Sequence, residues 1–109
     1  MEKWDKNLKI YDELVSLNPK FTRKGKTMPY TSANGYMFSQ LNKDGDIGIR
    51  LPKQLYQKFR EEYNATEFIS YGAVIREYIK VPDELLTDLD LLSKYLDEAY
   101  EYVMTLKPK

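Results

Sequence analysis

A chain of 109 residues and 12.9 kDa with 42% hydrophobic residues is long enough for one domain with a modest core, and too apolar to stay disordered. Its 17 basic and 17 acidic residues leave no net charge, which is not the basic excess of a dedicated nucleic-acid binder. Cysteine and histidine are both absent, so disulfides, thiolate nucleophiles, imidazole bases and the usual zinc ligands are excluded.

The charges are unevenly placed. Residues 1–26 carry seven basic and four acidic groups, residues 43–82 seven and six, and residues 83–109 three and seven. A basic front and an acidic tail are suited to pairing within the fold. No apolar run approaches bilayer length, and the start MEKWDKNLKI has no apolar signal region. The expectation is a cytoplasmic protein without membrane contact.

In chain order, Trp4, Leu8, Tyr11 and Val15, with Leu14 beside them, mark an amphipathic helix that Asn18-Pro19 stops. A basic loop follows, with Lys20, Arg23, Lys24 and Lys26. Then sixteen residues, TMPYTSANGYMFSQLN, carry no charge at all. Asn34-Gly35 at their centre is a hairpin turn, because both residues tolerate positive φ. It divides a strand near Lys26–Ser32 from one near Tyr36–Leu41. Pro29 has no N–H for a ladder, which puts the first of these at an edge or a bulge. A second turn at Asn42–Gly45 leads to a strand over Asp46–Leu51, where Ile47, Ile49 and Leu51 alternate with Gly48 and Arg50.

Pro52 suits a helix start, and Leu55, Tyr56, Phe59 and Tyr63 form its apolar face before Asn64. Thr66–Tyr71 reads as a short strand, Gly72-Ala73 as a turn, and Val74–Val81 as the last strand. Alternation assigns Ile75, Glu77, Ile79 and Val81 to the core and Val74, Arg76, Tyr78 and Lys80 to the other face. Glu77 is the weak point, since a buried carboxylate needs a partner. Thr87 or Asp88 caps a final helix to about Leu106, whose leucine-rich seam packs on the sheet.

The expected fold is one α+β domain over residues 1–109. It is a two-layer sandwich of order αβββαββα, with a five-stranded antiparallel sheet and helices on one face. The other face then carries Arg50, Arg76, Tyr78 and Lys80.

The basic loop, KGKTMPYTSANGYMFSQL, KDGDIGIRLP and YGAVIREYIKVPDELL, in that order, resemble the N-terminal domain family of the bacterial competence regulator TfoX (Sxy). The matching pieces are Met37-Phe38, Asp44-Gly45, Ile47 to Leu51, Tyr78 to Pro82 and Asp83 to Leu86. Ser39-Gln40 departs from the family, where many members have glycines. The resemblance implies a secretion-chaperone-like α+β fold in a bacterial protein and brings no catalytic residues with it.

No glycine-rich phosphate loop, serine elbow or dinucleotide fingerprint is present, so no cofactor, metal or catalytic residue is assigned. Asp44-Gly45-Asp46 lacks the remaining ligands of a calcium loop. Ten tyrosines stand out. Tyr30, Asn34, Tyr36, Gln40, Arg50, Arg76 and Tyr78 form the candidate interaction surface for a second copy of the chain or another protein. Lys20, Arg23, Lys24 and Lys26 are the candidate contact for an anion or nucleic acid, and their plainer role is to balance the acidic last helix. The leading expectation is a non-catalytic interaction module. A nucleic-acid-associated accessory of transcription or competence regulation comes second, and an enzyme using carboxylate, tyrosine or lysine chemistry comes third.

Overall fold

The protein is described by a computed structural model covering residues 2–109. It has α1 (Glu2–Ser16), β1 (Tyr30–Ala33), β2 (Tyr36–Leu41), β3 (Ile47–Arg50), α2 (Lys53–Tyr63), β4 (Glu67–Ser70), β5 (Ala73–Lys80), a 3-10 turn (Asp83–Thr87) and α3 (Leu89–Met104). The five strands form one antiparallel sheet in the order β1-β2-β3-β5-β4, so the expected α+β order and architecture are present. Among the described residues, no helix is long and apolar enough to cross a membrane.

The helices bury one face of the sheet. Leu92, Leu96, Ala99 and Val103 of α3 and Tyr11, Leu14 and Val15 of α1 pack with Phe38, Ile49, Ile79 and Val81. Emptying a leucine site in such a core to alanine costs about 2–5 kcal/mol, so this layer carries much of the stability. Many of the tyrosines are spent here. Tyr100 joins Phe21 and Phe38, with ring centroids 5.0–5.8 Å apart, and Tyr63 and Tyr95 enclose Phe59. At the start of α3 the Asp88 side chain accepts from the Leu91 N–H at 3.2 Å, so Asp88 is the cap and Thr87 is not.

The uncharged run resolves into β1, the Asn34-Gly35 turn and β2. β1 begins at Tyr30, four residues later than expected, because Lys24 bridges Tyr30 through two backbone hydrogen bonds and Pro29 offers only its carbonyl, to the Leu41 N–H. β1 is an edge strand, as Pro29 requires, and it is also bulged between Thr31 and Ser32. That bulge turns both Phe38 and Ser39 toward the helices. Ser39 then stands 2.6 Å from the Tyr11 hydroxyl and 2.5 Å from Thr31, a buried chain that accounts for two of the polar residues in the run.

The last two strands depart most from the sequence reading. Their turn is centred on Tyr71-Gly72, one residue early, with φ of +56° and +74°. Tyrosine is rarely found in this left-handed region, which is why alternation missed it. Glu77 also has positive φ, +71°, and the β4–β5 register slips there: Glu67 faces Ile79, but Ile69 faces Val74. The bend carries the outer part of this two-stranded ribbon back over the helix-free face. Phe68 settles on Gly48, two strands away, where a Cβ would lie 2.5 Å from its ring. Asn42 at the end of β2 donates to the Ile69 carbonyl at 2.7 Å.

Candidate functional site

The helix-free face is therefore half covered. Under the ribbon, Phe68 and Tyr78 stack with centroids 5.7 Å apart, and Tyr78, Gln40 and Ser70 are all buried. Beside the ribbon the face is open, and the cause is the shortness of β3. Pro52, at φ −62° and ψ 155°, takes the chain out of the sheet and into α2. β3 pairs only with Ser39–Leu41 on one side and with Tyr78–Lys80 on the other. Tyr36–Phe38 and Ala73–Arg76 thus have no ladder partner on their β3 side among the described residues. These two unpaired edges border an open lane on the face, where the bent ribbon leaves Tyr36, Met37 and Arg50 uncovered opposite Ile75 and Arg76.

A charged network stands at the head of this lane. Arg50 donates from Nε at 3.1 Å and from Nη2 at 2.6 Å to one Glu77 oxygen, and the Tyr102 hydroxyl donates to the other at 2.6 Å. The Arg50 guanidinium also lies 5.5 Å from the ring centroids of both Tyr36 and Tyr102. Burial pushes the Glu77 carboxyl upward, but the hydrogen bonds from Tyr102 and Arg50 and the arginine charges outweigh it, so its pKa lies below the usual glutamate value. Bonding to that carboxylate, with burial, holds the Tyr102 hydroxyl above its ordinary value. The carboxylate is ionised and its oxygens are engaged, which is a positioning arrangement and a poor one for proton abstraction.

The lane opens as a groove of about 520 Å³ lined by Tyr36, Met37, Arg50, Ile75, Arg76 and Lys109, with Tyr78 also contributing. Through Arg76 and Glu77 it continues into a hollow of about 350 Å³ beside Lys53 and Tyr56. Arg76 is exposed and makes no ion pair among the described residues.

Of the expected interaction surface, Tyr36, Arg50, Arg76 and Tyr78 come together here. Tyr78 does so as a buried floor residue rather than an exposed anchor, and its hydroxyl has no hydrogen-bond partner among the described residues. Gln40 is likewise buried under the ribbon, donating weakly to Met37 Sδ at 3.7 Å, and is not surface. Asn34 caps α3, donating to the Val103 and Leu106 carbonyls at 2.9 Å each. Tyr30 packs its ring over Gly25 at the far sheet edge.

The basic loop does not converge on a ligand site. Lys20 pairs with Asp97 and Glu101 at 3.0 and 3.1 Å, and Arg23 clasps Asp12 through two nitrogens at 2.7 and 3.1 Å. The Lys24 ammonium reaches Ser32 at 3.5 Å, and Lys26 is exposed. Among the described residues only Lys20 of these four meets the acidic last helix, the plainer role read from the sequence, while Arg23 answers Asp12 of α1.

Sequence reasoning missed Met37, Tyr102 and Lys109 in the groove, since each belongs to a different element. It also missed the outer face of the ribbon. There Ile69 and Val74, directly opposite each other, are 53% and 55% exposed, and Tyr71 at the tip is 80% exposed. Comparison with family models, curated proteins and solved structures gives no match to this chain, so the site is read from its own geometry.

Proposed function

We propose that this protein is a non-catalytic interaction module of the bacterial cytoplasm, akin to TfoX N-terminal domains, that self-associates through the outer face of the β4–β5 ribbon. The carrying observation is the apolar trio Ile69, Val74 and Tyr71, left to solvent on one ribbon while most other large apolar side chains are covered. Contiguous exposed apolar side chains on a small domain mark an interaction surface. A two-fold contact sets the same patch against itself, and an apolar cross-strand pair is self-complementary in this way. The strained conformation of Tyr71 supports the reading, because a left-handed tyrosine at an exposed tip adds nothing to packing.

Sedimentation velocity from micromolar to millimolar protein tests this. Dimer is expected to grow with concentration and to be lost in the Ile69→Lys/Val74→Lys double variant. A strictly monomeric wild type at millimolar concentration overturns the proposal.

A further inference from the structure

The groove beside the ribbon has a different character from the ribbon's outer face. Four cationic side chains (Arg50, Arg76, Lys53 and Lys109) line the groove and its adjoining hollow, against the single carboxylate of Glu77. Glu77 is already matched by Arg50 at 2.6 Å, which leaves the excess positive charge on Arg76, Lys53 and Lys109. The same channel runs along the edge of Ala73–Arg76 that no strand pairs. Its walls mix charge with apolar surface from Met37 and Ile75, and Tyr78 contributes to its lining.

We infer that this channel takes an extended acidic segment of a partner protein, laid along the unpaired edge of Ala73–Arg76. A strand added to a sheet draws affinity from main-chain hydrogen bonds and specificity from alternate side chains. Here one set of alternating side chains carries carboxylates toward Arg76 and Lys53, and the other set lies against Met37 and Ile75. Excess positive charge also selects the sign of the partner and speeds its approach. This inference does not rest on self-association, which uses Ile69, Tyr71 and Val74.

The test is fluorescence anisotropy with a labelled peptide of alternating glutamate and valine. Three competitors accompany it: the same peptide with lysine for glutamate, the same peptide N-methylated at alternate amides, and an oligothymidine. Saturable binding of the acidic peptide is expected. The lysine and N-methylated peptides should each bind at least about tenfold more weakly, as should wild-type-like folded Arg76→Glu and Lys53→Glu. Both substituted residues are exposed, and circular dichroism confirms folding in each case. Sedimentation of the same variants reports self-association separately. The inference is overturned if the acidic peptide does not saturate, if charge reversal of peptide or of both residues leaves binding unchanged, if N-methylation has no effect, or if oligothymidine binds more tightly.

Discussion

Arg50 and Glu77 lie 27 residues apart in sequence, and Arg50 Nη2 meets Glu77 Oε1 at 2.6 Å where β5 bends. The contact fixes a glutamate at φ +71°, a conformation that costs a non-glycine residue about 1–2 kcal/mol. With Tyr102 on the other oxygen, it ties the bend in β5 to both β3 and α3. The bend in turn divides the helix-free face into a covered half and an open groove.

Because the folded Glu77 carboxyl titrates below its ordinary value of 4.5, its contribution is complete above that value and is lost as pH falls through the lower folded one. Glu77→Gln is expected to cost about 1–2 kcal/mol at neutral pH, a charged hydrogen-bond value reduced for partial exposure. Urea unfolding of both proteins across acidic pH checks this. The gap should narrow as pH drops below the glutamate range, and a gap constant with pH contradicts the assignment.

Gly48 is required by Phe68, not by its own backbone. A Cβ there would sit 2.5 Å from the ring, which is itself fully buried and stacked on Tyr78. Gly48→Ala should destabilise by about 1–3 kcal/mol, the usual cost of overpacking. Hydrogen exchange should quicken at β4 amides more than in the α3 core, because displacing Phe68 lifts the ribbon first.

Tyr71 trades stability for exposure. Replacing it by asparagine gives an Asn-Gly pair, which suits two consecutive positive-φ positions. Tyr71→Asn is expected to raise stability by about 0.5–1 kcal/mol while weakening self-association. Thermal unfolding and sedimentation on the same sample separate the two effects, and a variant that associates as wild type removes Tyr71 from the interface.

Asn34 holds the end of α3 through a side-chain amide that donates to two carbonyls. Aspartate keeps the shape but has no donor, so Asn34→Asp should cost about 1–3 kcal/mol at neutral pH. Part of that loss should return under acid conditions that protonate the new carboxyl. Equal stability of the two proteins at neutral pH would show that the cap contributes nothing.

Local pattern was enough for the element order, the edge position of β1, the Asn34-Gly35 turn and the helical seam of α3. Each depends on neighbours within a few residues: proline without an N–H, glycine at positive φ, apolar spacing of three and four. The sequence also exposed its own contradiction at Glu77, where alternation demanded a buried carboxylate. Only tertiary structure resolved it, through a bulge closed by Arg50 and Tyr102 from distant elements. The same bend buries Tyr78, which alternation placed on the open face, and Gln40, a candidate surface residue, and leaves Ile69, Tyr71 and Val74 exposed. Period-two reasoning assumes a straight strand and fails wherever a bulge changes which face a side chain takes. The groove brings together residues from β2, β3, β5 and α3, and that convergence is a property of the packing, which no local spacing encodes.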